Sequence, residues 1–130
     1  FAVAKQAIGL GILPHTISSD IYCRNRIDGP VRSLANVMSK FLAIGLSLPQ
    51  VIACVTDHAA DGLRLAKKGR LAVGFDADLT IFDLRRQPVL FTDAENSALQ
   101  ADQLLTPLAA IRAGRGYLTE QGRAEHVFDL

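Results

Sequence analysis

Ile12-Leu13-Pro14-His15-Thr16-Ile17-Ser18-Ser19, closing on Asp20, is a short apolar run with β-branched residues, and it stands alone between helix-forming stretches. It reads as a strand, with Pro14 near its start, where a missing backbone donor does least harm. A single strand leaves N–H and C=O groups open along both edges, and buried groups of that kind need partners. No neighbouring stretch of sequence offers them. The expectation is that the partners lie upstream, outside the chain.

Working outward, Ala2, Ala4, Ala7, Ile8 and Leu10 form a helical pattern that Gly9 and Gly11 bring to a stop. After Asp20 comes a polar loop, residues 21–30, with the turn formers Asn25, Asp28, Gly29 and Pro30. A second helix is expected over about residues 31–46, because Leu34, Val37, Met38, Phe41, Leu42 and Leu46 recur every three or four positions. Ser47, Leu48 and Pro49 open a third, with serine as cap and proline in the first turn. Thr56 or Asp57 is placed to cap another, reaching about residue 66, where Lys67, Lys68 and Gly69 end it.

Beyond Gly69 the pattern turns to strands: residues 70–73, the turn Gly74, Phe75 and Asp76, then 77–84, 89–91, 104–112 and 116–118. The polar stretch 92–102 separates two of them, and the tail from residue 120 has no clear pattern. Helix, strand, helix is the order of the last unit of a parallel β/α barrel. The expected fold class is therefore α/β: the last β/α unit of a TIM-type (β/α)8 barrel, residues 1–66, followed by part of a small β-sandwich, residues 67–130.

The bulk properties narrow the classes of function. A chain of 130 residues with net charge +1 and 49% hydrophobic content suits a soluble domain or a piece of one. The scattered charges lack the basic stripe of a nucleic-acid binder, since Arg24, Arg26 and Arg32 are too few to make one. Cys23 and Cys54 have no metal-type spacing and read as free thiols, which points to a reducing, cytoplasmic setting. The apolar start, broken by Lys5, Gln6 and glycines, is expected to be neither a signal peptide nor a membrane span. It opens in mid-helix without a methionine, which hints at truncation.

Two segments carry a family resemblance. Leu13-Pro14-His15-Thr16-Ile17-Ser18-Ser19-Asp20, then Gly29-Pro30 and Met38-Ser39-Lys40-Phe41-Leu42, is similar to the eighth strand, following loop and eighth helix of amidohydrolase-superfamily enzymes. The deacetylase-like, dihydroorotase-related group looks nearest. Val55-Thr56-Asp57-His58-Ala59-Ala60, and on through Gly69-Arg70-Leu71-Ala72-Val73-Gly74-Phe75-Asp76-Ala77-Asp78-Leu79, resembles the passage in which these enzymes leave the barrel for a small β-sandwich. The Gly-x-Leu-x-x-Gly-x-x-Ala-Asp pattern marks architecture rather than substrate. One departure is His58-Ala59-Ala60 where relatives have Asn-Pro-Ala; Asp57 is expected to take over the capping there.

In that family the aspartate closing the eighth strand binds a metal and serves as general base and acid, and by position the role falls on Asp20. From spacing alone Asp20 is better read as a turn residue; the resemblance reverses that preference. The resemblance also implies one or two divalent ions, with zinc (Zn2+) expected, whose other ligands, a His-x-His pair among them, lie upstream. His15, on the strand parity opposite to Asp20, reads as a packing histidine, and His58 as a surface or capping one. His126 carries no information. Cys23 in the loop reads as an ordinary thiol.

Arg24, Asn25, Arg26, Gly29 and Pro30 are candidate substrate contacts, because loops at that barrel face meet ligands and guanidinium offers a fork for a carboxylate. A solvated polar loop is the competing reading. The leading expectation is a metal-dependent hydrolase of a carbon–nitrogen amide bond, an N-acetyl or cyclic amide, with a small-molecule substrate, neither nucleic-acid nor membrane partners, and self-association left open. An aminopurine deaminase or ester hydrolase of the same superfamily is the alternative within the class. A catalytically silent assembly or binding module is the alternative outside it.

Overall fold

The structure is a computed structural model, and it describes residues 1–23 and 29–125. The amino-terminal helix α1 (Ala2–Gly9) stops where the glycine pattern places its end. Gly11 takes φ +79°, its N–H bonds the Ile8 carbonyl, and Ile12 N–H reaches back to Ala7 O at 2.9 Å. This is a helix stop with glycine in the left-handed region, which a Cβ would disfavour. The same device closes α2 (Leu34–Ala43): Gly45 has φ +114° and Leu46 N–H bonds Phe41 O. Leu46 is thereby turned into the core.

Helix α2 is shorter than the expected 31–46 because its caps, Ser33 and Ile44, lie inside that range. Ser33 accepts a hydrogen bond from Asn36 N–H at 3.1 Å and starts the helix there. Helix α3 (Leu48–Val55) begins as expected, with Pro49 in its first turn and a capping box in which Ser47 N–H bonds Gln50 Oε1 at 2.8 Å. Helix α4 (Asp57–Gly62) ends four residues early, since the chain turns at Arg64, φ +57°, and Leu65 N–H closes on Ala60 O. Lys67 and Lys68 therefore do not sit on a helix end. Asp57 does not take the cap either; the N-cap is Thr56, and the Asp57 carboxylate is drawn instead to Arg70.

The strands form one antiparallel sheet in the order β1-β2-β3. The expected pieces 77–84 and 89–91 are a single long strand, β1 (Leu79–Thr92), and β2 (Ala98–Arg112) begins well before residue 104. Register runs from Leu79 opposite Ile111, through Leu84 opposite Leu105, to Thr92 opposite Ala98. Irregularities fall at Ile81/Phe82 and Arg86/Val89, so Pro88, which has no N–H to give, sits in one of them. The polar stretch that seemed to separate two strands is only a tight turn: Asp93 accepts from Glu95 N–H and Ser97 N–H, and Asn96 takes φ +59°. Strand β3 (Arg115–Leu118) pairs with the end of β2, and helix α5 (Glu120–Ala124) follows, capped by Thr119.

Two expected strands are not formed. Residues 70–73 run between turns with Leu71 and Val73 85% and 105% exposed, so there is no face for alternating side chains to bury. Residues 12–19, read as the lone strand, have no ladder; no described strand lies alongside to pair with them. Ile17 nevertheless enters the core with Met38, Leu46, Val51, Cys54 and Leu105. That cluster joins the helices to the sheet. Ser39, fully buried, gives its hydroxyl to Ala35 O at 2.7 Å and accepts Leu105 N–H at 3.0 Å, where β3 no longer covers the edge of β2.

Candidate active site

The segment leading to Asp20 is held by side chains and backbone of the α3–α4 junction rather than by neighbouring strands. The Cys54 thiol donates to Pro14 O at 3.2 Å, and Ile17 N–H donates to Cys54 O at 3.2 Å. Burial pushes the Cys54 thiol up, which keeps it protonated and able to donate. His58 Nδ1 lies 3.0 Å from His15 O, and the two imidazoles stack with centroids 4.6 Å apart and planes 5° from parallel. A carbonyl only accepts, so Nδ1 of His58 carries the proton. Sequence spacing separated these histidines by 43 positions; only the fold brings them together.

Asp20 is exposed and takes φ +48°, so the chain turns at it. Aspartate is one of the few non-glycine residues that visit this region readily. Arg24, Asn25 and Arg26, candidates for substrate contact, lie outside the described residues, as does His126. Gly29 and Pro30 are half-buried and line an open cleft of about 630 Å³ with Arg32, Asn36, Lys40 and Thr92. Lys40 crosses that cleft, donating to Pro30 O and Thr92 O at 2.7 Å each, and so ties the end of the loop to the hairpin. Burial lowers its pKa below the ordinary lysine value, with Asp93 opposing that shift. Lys40 stands between the apolar residues Met38 and Phe41, next to Ser39, and that position is the one sequence signal that it does something other than face water.

The pattern from Gly69 to Asp78 is explained by its contacts. A Cβ on Gly69, at φ +80°, would lie 2.6 Å from Thr56 O, so only glycine lets this turn lie against α4. Asp78 accepts Ala113 N–H at 2.9 Å and is hydrogen-bonded by Lys68, which also pairs with Asp76 at 2.9 Å. The Lys68 ammonium and the Ala113 amide hold the Asp78 carboxyl below the usual carboxylate range. These residues build the junction into the sheet. Cys23 is exposed and Cys54 buried, both unbridged. Among the described residues no helix is long and apolar enough to cross a membrane.

The amidohydrolase family matches residues 11–112, a span that takes in Asp20, the α3–α4 junction and the whole β1–β2 hairpin. A protein named deacetylase from Enterococcus faecalis is 38% identical over 117 residues, which is 90% of this chain and 32% of that protein. Two solved structures share the backbone: an adenine deaminase at TM-score 0.87 and 38% identity, covering 90% of this chain and 32% of that one, and a dihydroorotase at 0.83 and 33%, covering 91% and 31%. The chain thus spans about a third of the length of these relatives.

Proposed function

The chain belongs to the amidohydrolase family, and on that footing we propose that it is the part of a carbon–nitrogen hydrolase that presents the catalytic carboxylate, Asp20. The proteins it resembles are named for deacetylation, adenine deamination and dihydroorotase activity, all of which suit hydrolysis at a C–N bond. The mixed α/β arrangement follows theirs. In our reading residues 1–66 are the end of a (β/α)8 barrel and residues 67–130 part of the appended β-sandwich, the remainder being supplied upstream.

The observation that carries this reading is the placement of Asp20: an exposed carboxylate on a turn, at the end of an extended segment whose preceding residues are seated on the α3–α4 junction, within the family match. Members of the superfamily generally use divalent metals. Among the described residues no three His, Cys, Asp or Glu side chains gather to hold one. Asp20 fits as a single ligand of a site completed elsewhere, whereas His15 and His58, locked face to face, do not. Asp20 would be one ligand of a divalent ion there, zinc in our reading, which would lower the pKa of a coordinated water toward neutrality. The part of Asp20 itself, as general base and acid, is to accept a proton from the attacking water and give one to the departing nitrogen. Arg24, Asn25, Arg26, Gly29 and Pro30 are the residues we assign to substrate contact, for an N-acetyl or cyclic amide in a cytoplasmic setting.

The test uses the longest reading frame that contains this chain, loaded with zinc and offered an N-acetyl amino acid, a cyclic amide and an aminopurine. Hydrolysis of one of them is expected, with Asp20→Asn lowering kcat about 10²–10⁴-fold at unchanged melting temperature. Turnover by Asp20→Asn at the wild-type rate would overturn the assignment. Preference for the aminopurine would select the deaminase relatives over the amide hydrolases, and inactivity on every substrate would favour an assembly module.

A further inference from the structure

The residues before Asp20 are seated at three points in four positions: Pro14 O on the Cys54 thiol, His15 O on His58, and Ile17 N–H on Cys54 O. The Cys54 contacts come from the end of a buried helix and the Ile17 side chain is sunk in the core, 7% exposed. His58 differs from these. Its side chain meets the segment through two contacts, a ring N–H donated to a backbone carbonyl and a ring face stacked on the neighbouring imidazole. The stack rules the pair out as a metal site as it stands, because an ion bound by an imidazole lies in that ring's plane and two parallel planes share no such point. The two contacts bear on the backbone at His15 and on its ring at once.

Resting on the reading of Asp20 given above, we propose that His58 is a positioning residue for catalysis, its hydrogen bond and ring stack with His15 setting where the Asp20 carboxylate stands. Ile17, between His15 and Asp20, is sunk in the core while Thr16 and Ser18 beside it are exposed, and the His15 seat adds a second hold at the start of the backbone that ends at Asp20. A reacting group displaced by about 1 Å can lose on the order of 10²-fold in rate, so a loosened seat appears in kcat. KM, set by contacts made elsewhere, stays in place.

Three substitutions separate the two contacts. His58→Phe keeps a ring for the stack and removes the donor; His58→Asn keeps a donor near the Nδ1 position and removes the ring; His15→Ala keeps the backbone acceptor and removes the stack from an exposed site. In the longest reading frame containing the chain, His58→Phe is expected to lower kcat about tenfold with KM unchanged, His58→Asn to recover most of the loss, and His15→Ala to lie between. Hydrogen exchange at the Ile17 amide should quicken in His58→Phe and return toward wild type in His58→Asn. Should His58→Phe fold poorly, His15→Ala carries the test through the same two readouts. Wild-type kcat in both His58→Phe and His15→Ala, with Asp20→Asn inactive, overturns the positioning role alone; full activity of Asp20→Asn overturns the reading beneath it; failure of His58→Asn to recover overturns the part given to the hydrogen bond.

Discussion

Residues 12–19 and strand β1 are both extended chain, yet they are held in different ways. In β1 each stretch of backbone faces β2 across a continuous antiparallel register from Leu79 to Thr92, interrupted only where Pro88 and the Phe82–Pro107 pairing break it. Residues 12–19 have no such partner among the described residues; they rest on a thiol, a carbonyl and an imidazole from the α3–α4 junction. A ladder spreads stability over many bonds, whereas point contacts concentrate it in a few side chains. Asp20, the carboxylate we propose for catalysis, ends the second kind of segment, which is seated by a few point contacts where the hairpin has a ladder.

The two regions share one core, and the largest effect should come from cutting it on the hairpin side. Leu105 is 3% exposed and clusters with Ile17 and Val51; Leu105→Ala is expected to cost about 2–5 kcal/mol. Chemical denaturation measures the loss, and amide exchange at Ile17 shows whether it spreads. Unchanged protection of Ile17 would mean that the regions are energetically separate. A smaller effect is expected from Ser39→Ala, which leaves the buried Leu105 N–H without its acceptor at about 1–3 kcal/mol, again by denaturation.

The smallest is electrostatic and pH-dependent. Because Lys68 and the Ala113 amide hold the Asp78 carboxyl down, its folded pKa lies below its unfolded one. Its contribution is therefore full above the ordinary carboxylate range and fades as pH falls through the lowered folded value. Asp78→Asn should lower the melting temperature at neutral pH and match wild type in strong acid, where both are neutral. A difference that persists unchanged into acid would point to packing instead. The group is exposed, so the effect is modest.

These contrasts also explain what the sequence could and could not disclose. The hairpin is local: apolar alternation and the Asp93 to Ser97 turn lie side by side in the chain, so the strands are legible in the sequence, although its pattern divides β1 into 77–84 and 89–91. Glycine stops at Gly11 and Gly45 and the Ser47 cap were equally legible, because each acts on its own helix end. The strand at residues 12–19 was read from composition, but a strand is a relation between two segments and the chain holds only one. His15 and His58, read as unrelated packing and surface residues, meet through tertiary folding that no spacing rule contains. The sequence assigns Lys40 no role of its own, and only the fold shows its two carbonyl acceptors. Asp20 itself was legible through family resemblance and not through any constellation within the chain.

The most direct measurement is a crystal structure of the longest reading frame containing this chain, grown with zinc. The account predicts that residues 12–19 become a strand with ladder partners on both edges, that the His15–His58 stack persists beneath it, and that the Asp20 carboxylate lies within bonding distance of the bound ion. Residues 12–19 still unpaired, with Asp20 turned away from any metal, would contradict it.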